Sequence, residues 1–383
     1  MSSHQVNYSS ATLCVHTGSI QDQTYGGVNS PIYNSSAFEF LDQPQSRYPR
    51  YYNTPNQLAI TEKLCALEKA EAGLVMSSGM AAISAVFAGL LSSGDHLVIQ
   101  RSIYGGTHHF VQSQFEALGL NFTMVDGNTV DQFKAALRPE TKMIYFETPG
   151  NPLLDILNIE GLARLAKDHG AYSVIDNTFA SPVNCNPISL GVDVVVHSGT
   201  KYLGGHSDLI FGAVLTNKSL WQQLYTIAVS WGGNLDGYTC YQIERSLKTL
   251  FIRVKQQNDN ALAIAQALQA HPSITQVYYP GLADHPGHAL ASKQMAGFGG
   301  MLSFEIESNT SDAQSYCQQL NLIKTAVSLG GVETTITIPA LTSHAKMSPE
   351  DRKQVGIGEN LMRLSVGIED AQDLIDDLLQ PLS

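Results

Sequence analysis

No run of apolar residues in the chain is long enough to span a bilayer, so no transmembrane helix is expected. The opening residues Met1-Ser2-Ser3-His4-Gln5 lack the charged start and apolar stretch of a signal peptide. Basic residues are few. Lys and Arg number 22 against 34 Asp and Glu, and the net charge of -12 argues against nucleic acid or an anionic membrane as partner. Cysteine is sparse as well. Cys14, Cys65, Cys185, Cys240 and Cys317 are scattered with no CxxC pair, which fits reduced thiols in a cytoplasm better than a disulfide framework or a zinc site. His108 and His109 have no acidic or cysteine ligands at metal-binding spacing, so no metal is expected. There is no internal repeat and no low-complexity tract. What is present is a 383-residue chain, 43% hydrophobic, with enough material for a sizeable core and two or three domains.

One stretch organises the rest. Val192-Asp193-Val194-Val195-Val196 reads as a buried strand and runs into His197-Ser198-Gly199-Thr200-Lys201-Tyr202-Leu203-Gly204-Gly205-His206-Ser207-Asp208. A lysine at the end of a buried strand has an expensive charge to place. It can snorkel to the surface or pair with an acid. Alternatively, its pKa is lowered and it forms a Schiff base. Ser198 and Thr200 beside it can donate hydrogen bonds to a phosphate. A second strand, Ala171 to Ile175, runs into Asp176-Asn177-Thr178. An acid at such a strand end suits a pyridine nitrogen that must stay protonated, although acids also end strands as helix caps. Together these features suggest pyridoxal 5′-phosphate held covalently on Lys201.

Other segments add to the pattern. Residues 1–55 read as an extended arm rich in Tyr and Arg, residue types common at interfaces. Gln57 to Ala70 has helical spacing, with Gly73 as its expected stop. After the short strand Leu74-Val75-Met76, Ser77-Ser78-Gly79-Met80 opens a helix, and the free backbone N–H groups of Gly79 and Met80 can bind an anion. On its own this would be an ordinary tight turn. Strands at 96–100, 121–125 and 142–146 alternate with helical stretches, which argues for a mostly parallel α/β sheet with its site at the C-terminal strand ends. Asp236 to about Ala270 reads as one long helix leading to a second, smaller unit. Arg363 lies within the apolar strand Leu361 to Val366, so it needs a partner, such as Glu369 or Asp370.

The segment Ser198 to Asp208 resembles the cofactor-lysine signature of the Cys/Met-metabolism PLP-dependent enzymes, the trans-sulfuration family. The resemblance runs from about Gly18 to about Leu379. It implies PLP-dependent transferase fold type I, aspartate-aminotransferase-like. That fold has a mostly parallel central sheet flanked by helices and a smaller C-terminal α/β domain. The implied division is an arm (1–55) reaching the neighbouring subunit, a large PLP-binding domain (56–245) and a smaller domain (246–383). A homo-oligomer is implied too, a dimer of dimers, because Tyr48 and Arg50 match the pair that holds the neighbour's cofactor phosphate. Pro49 between them and the order Asn53-Thr54-Pro55 depart from the family pattern.

The resemblance also implies roles. Tyr104, before Gly105-Gly106, stacks on the cofactor ring and is a second candidate base after Lys201. Asn151 contacts the cofactor's 3′-oxygen and the substrate carboxylate, and Glu147 supports its loop. Arg363 grips the α-carboxylate of an amino-acid substrate, and Ser328 bonds near Lys201 and that carboxylate. Arg47, His109 and Glu333 fall at positions that select the distal part of the substrate. Arg47 stands where the γ-lyases of animals and yeast have an acid, and it favours a distal carboxylate. Gly106 stands where methionine γ-lyases carry a cysteine. The expected activity is cystathionine γ-lyase chemistry, with γ-synthase, β-lyase and methionine γ-lyase as alternatives. A non-catalytic binding protein is the reading from a different class.

Overall fold

Apolar β-branched runs bounded by turn residues become strands, and seven of them form one sheet. They are β1 (Ala72–Met76), β2 (His96–Gln100), β3 (Asn121–Val125), β4 (Thr141–Glu147), β5 (Tyr172–Asp176), β6 (Val194–Ser198) and β7 (Gly212–Thr216), in the order β1-β7-β6-β5-β4-β2-β3. Strands β3, β2, β4, β5 and β6 run parallel, and β7 pairs antiparallel with both β6 and β1. The computed structural model describes residues 8–307, 312–342, 345, 352 and 356–382, so Met1–Gln5 lie outside the described residues. A second, five-stranded sheet is made of β8 (Ile274–Tyr278), β9 (Met301–Ile306), β10 (Lys324–Thr325), β11 (Thr335–Thr337) and β12 (Leu361–Ser365), in the order β10-β11-β12-β9-β8.

Strands β2 and β4 to β7 are buried almost throughout, because helices cover both faces of the large sheet. On one face, α1 (Ser10–His16) packs on α2 (Pro55–Glu68), which sets Ile60 and Leu64 against Ile144, Phe146 and Val195. On the other, α3 (Gly79–Leu90) and α4 (Gly105–Gln114) join Ile83 and Phe87 to Leu97, Ile99 and Met143. The intervening helices are α5 (Val130–Ala135), α6 (Ile159–His169), α7 (Ser181–Asn184) and α8 (Lys218–Trp231). Helices α9 (Gly237–Leu247) and α10 (Leu250–Gln269) come next. The far half of α10 supplies Ile264 and Leu268 to the core of the second sheet, with Phe304 and Leu364.

Three sequence expectations are corrected. The arm is not extended throughout. Ser10–His16 is helical, and the buried Lys63 amine donates to the Cys14 carbonyl at 2.9 Å, fixing α1 on α2. Helix α2 stops at Glu68, where Lys69 takes a left-handed φ of 60°, and Gly73 lies inside β1 paired with Leu215. The helical run from Asp236 breaks at Lys248–Thr249. The Ser246 carbonyl there accepts from Thr249 N and from the Arg253 guanidinium, which ends one helix and lets the next begin.

All five cysteines are unpaired thiols. Among the described residues, no group of three or more His, Cys, Asp or Glu is placed to hold a metal, and no helix is long and apolar enough to cross a membrane.

Candidate active site

The parallel strands β4, β5 and β6 end side by side, at Glu147, Asp176 and Ser198. From Ser198 the chain turns through Gly199 and Thr200, and this places Lys201 beside Asp176 in one cavity of about 620 Å³. The other wall comes from the second sheet, through Ser328 ahead of β11 and Arg363 at the centre of β12.

The Lys201 Nζ donates to Ser328 Oγ at 2.7 Å. Burial pushes the Lys201 amine down to about 8, the Arg363 charge adds to the shift, and Asp176 opposes it. Ser328 holds a φ of +80°, in the left-handed region that a non-glycine residue enters at a cost. Asp176 is buried, and burial raises its pKa, opposed chiefly by hydrogen bonds from Thr178. The Thr178 hydroxyl donates to Asp176 Oδ1 at 2.5 Å and its N–H to the same oxygen at 3.0 Å. The same hydroxyl accepts from Ser198 N at 2.8 Å, so Thr178 ties the two strand ends together. Thr178 had no role in the sequence analysis, although a hydroxyl two residues after a strand-end acid is the signal for such a turn.

Glu147 is also buried and its pKa lies well above the usual carboxylate range, first because of burial and then because of Asp176. It accepts from Tyr104 N at 2.9 Å, and its own N–H donates to Gln100 Oε1 at 2.8 Å, so it supports the loop that presents Tyr104. The Tyr104 ring stands half exposed at the cavity mouth. Arg363 finds its partner in Asn151. Its Nη1 donates to Asn151 Oδ1 at 2.6 Å, its Nε is buried without a partner among the described residues, and burial brings the guanidinium down to about 10. Glu369 and Asp370 are not that partner. Glu369 accepts from Thr334 at 2.6 and 2.8 Å, and Asp370 caps the helix Ala371–Leu379.

The N-terminus of α3 opens into the same cavity. Ser78 Oγ accepts from Ala81 N, which leaves the N–H groups of Gly79 and Met80 outside the helix's own bonding. Ser198 and Thr200 line the space beside them. Behind this corner, a Cβ on Gly212 would strike the Ser78 carbonyl, so the floor here is backbone against backbone.

These residues fit pyridoxal 5′-phosphate. An anion-binding helix end, a buried acid for a ring nitrogen, and an amine of lowered pKa share a cavity of the right size. Five of the sequence-predicted residues lie outside the cavity lining in the single chain. Arg47 Nη1 donates to the Asn53 carbonyl at 2.7 Å, and Arg50 Nη1 to the Val229 carbonyl at 2.8 Å, with Tyr48 exposed beside it. His109 and Glu333 are exposed.

Fold and site together define a pyridoxal-phosphate enzyme of fold type I. The chain belongs to the Cys/Met metabolism PLP-dependent enzymes, whose family model matches residues 11–383. It is 43% identical over 374 residues to the cystathionine gamma-lyase of Bacillus subtilis (strain 168), covering 97% of this chain and 98% of that one. It is 42% identical over 375 residues to a cystathionine beta-lyase of Lactococcus lactis subsp. cremoris (strain MG1363), with the same coverage. The crystal structure of cystathionine gamma-lyase from Lactobacillus plantarum complexed with L-serine superposes with a TM-score of 0.94 at 40% identity, covering 98% of both chains. The protein is therefore a PLP-dependent enzyme of cysteine and methionine metabolism, in a family of lyases and transferases.

Proposed function

We propose that the protein cleaves cystathionine on the γ side of its sulfur, giving cysteine, 2-oxobutyrate and ammonia with the uptake of water. The observation that carries this reading is the placement of the Lys201 amine, 2.7 Å from Ser328 Oγ, in the cavity that also holds Arg363. γ-Elimination needs two proton abstractions, at Cα and then at Cβ. A lysine on a flexible four-carbon stem can serve both atoms, and an amine held near 8 keeps about a tenth of itself neutral at pH 7, far more than an ordinary lysine.

Pyridoxal 5′-phosphate supplies the electron sink next to the substrate's Cα. The protein's own groups do the rest. Arg363 and Asn151 receive the α-carboxylate, and Ser328 bonds it on the side facing Lys201. Asp176, oriented by Thr178, keeps the cofactor's ring nitrogen protonated. Gly79, Met80, Ser198 and Thr200 hold the phosphate. Tyr104 covers the ring and is the second candidate base, for the incoming amine or the leaving sulfur. Tyr48 and Arg50 lie outside this cavity and serve the phosphate of a second copy, so the active unit is a homodimer or a pair of them. Arg47, His109 and Glu333 select the distal end of the substrate in that assembly. Five unpaired cysteines suit a reducing compartment, and the cytoplasm is the proposed location.

β-Cleavage is the second reading. It needs only the first abstraction, and identity to a β-lyase nearly equals that to a γ-lyase. The test is to incubate the PLP-loaded protein with L-cystathionine and identify products by mass spectrometry. Cysteine with 2-oxobutyrate supports the proposal. Homocysteine with pyruvate replaces it with β-cleavage. Untouched cystathionine, with new cystathionine formed from an O-acylhomoserine and cysteine, replaces it with γ-synthase chemistry.

A further inference from the structure

Helix α10 carries a polar row on a face turned into the protein. Arg253, Gln257 and Asn260 stand at i, i+4 and i+7, and are 3%, 0% and 2% exposed. Buried donors are costly unless bonded, so their acceptors are informative. Arg253 has no carboxylate partner in its hydrogen bonds. Its Nη1 donates to the Tyr202 carbonyl at 2.8 Å, its Nη2 to the Ser246 carbonyl at 3.0 Å and its Nε to Thr249 Oγ1 at 3.1 Å. Gln257 Nε2 donates to the Gly331 carbonyl at 2.7 Å. Asn260 Nδ2 donates to the carbonyls of Glu369, at 2.8 Å, and Gly367, at 3.2 Å.

Three of these acceptors belong to different pieces of the active site. Tyr202 comes directly after Lys201, Gly331 closes the loop that begins at Ser328, and Gly367 lies just beyond the strand of Arg363. The first two pieces also touch directly. A Cβ on Gly330 would lie 2.7 Å from Tyr202 N, and Gly330 N donates to Ser365 Oγ at 2.7 Å, on the strand of Arg363. One further detail shows which half of Gln257 matters. Its Oε1 is buried with no partner among the described residues, while its donor is used.

We infer that Arg253, Gln257 and Asn260 are positioning residues that set the spacing of Lys201, Ser328 and Arg363, and that Gln257 governs amino-acid binding through Ser328. This rests on the reading that Ser328 bonds the substrate carboxylate. None of the three belongs to the cavity lining.

The test is a double-mutant cycle of Gln257→Met and Ser328→Ala in the PLP-loaded protein. Methionine keeps the length and removes the donor. The probe is glycine, which has no leaving group, titrated by its change in the visible spectrum. Cofactor affinity is measured alongside, as are KM and kcat for L-cystathionine. Losing the bond that holds the Ser328 loop should weaken glycine about tenfold. KM should rise with it, while cofactor affinity stays within about twofold, because the cofactor is held from the large sheet. In the Ser328→Ala background, Gln257→Met should add less than about twofold, since the path runs through Ser328. Wild-type glycine binding by Gln257→Met, beside weakened binding by Ser328→Ala, overturns the inference alone. Wild-type binding by Ser328→Ala overturns the reading of Ser328, and the inference with it. Parallel loss of cofactor and glycine, additive with Ser328→Ala, shows a general structural role and also overturns it. If Gln257→Met does not fold, Gln257→Glu, which sets an acceptor against the Gly331 carbonyl, enters the same cycle under the same criteria.

Discussion

Arg363 Nη1 meets Asn151 Oδ1 at 2.6 Å, and this bond joins the middle strand of the small sheet to the loop after β4 of the large one. The guanidinium is thereby aimed while its Nε has no partner among the described residues, which leaves a buried cation oriented towards the cavity. Arg363→Lys retains the charge but loses the planar fork. It should raise KM for an amino-acid substrate by about a hundredfold, with the cofactor spectrum unchanged. Steady-state kinetics with L-cystathionine check this, and an unchanged KM would remove Arg363 from carboxylate binding.

Thr178 is the hinge pin between two strand ends. Thr178→Val deprives Asp176 of its shortest hydrogen bond and leaves Ser198 N without its acceptor. Cofactor affinity should fall about tenfold, because the acid for the ring nitrogen and the phosphate end are disturbed together. Titration of the cofactor-free variant with pyridoxal 5′-phosphate measures it.

The Lys201 amine gives a pH-dependent stability of defined sign. In the cofactor-free protein its pKa is lowered from 10.5 to about 8. Between those values the unfolded chain binds more protons than the folded one, so folding stability gains as pH rises through the window. Below about 8 both states carry the charge and the burial penalty is felt in full. Lys201→Met should therefore stabilise the cofactor-free protein below the window, and the advantage should vanish above it. Urea denaturation of both proteins on either side of the window decides the matter, and a pH-independent difference would contradict the lowered pKa.

Arg50 tests the second copy. Among the described residues its side chain donates to the Val229 carbonyl and faces two neighbouring tyrosine rings, Tyr51 at 5.5 Å and Tyr48 at 5.8 Å. Arg50→Ala should lose cofactor during gel filtration while its thermal unfolding, once reloaded, stays near that of the parent. A monomer with full activity would refute the shared phosphate site.

Much of this site was legible in the sequence because strand ends announce themselves. Val192–Val196 and Ala171–Ile175 are apolar enough to be read as buried, and the residues just beyond them must lie at the sheet's C-terminal edge. That reasoning found Asp176, Ser198 and Lys201, and the glycine-containing turn at Ser78 found the end of α3. Pairings made by chain crossings were less accessible. Nothing local to Ser328 or Arg363 says that one meets Lys201 and the other Asn151, since their partners lie 127 and 212 residues away. Resemblance pointed to these residues, and the second sheet brought them in. Helix ends fall where the backbone, not composition, places them: Lys69 takes the left-handed cap ahead of Gly73, and the Arg253 guanidinium claims the Ser246 carbonyl where one helix gives way to the next.

The reversed direction of β7 has a consequence for how such a catalyst can diversify. Because that strand runs against its neighbours, its first residue, Gly212, is pressed onto the Ser78 carbonyl, and the floor of the corner by the α3 terminus is main chain, with Ser198 and Thr200 beside it. A floor of main chain offers little for substitution to alter except by destroying it. The opposite rim is built of side chains, and there Ile210, Val327 and Leu341 stand 66%, 72% and 53% exposed on the cavity's edge. One half of the pocket is a fixed socket, and the other is a rim that substitution can reshape.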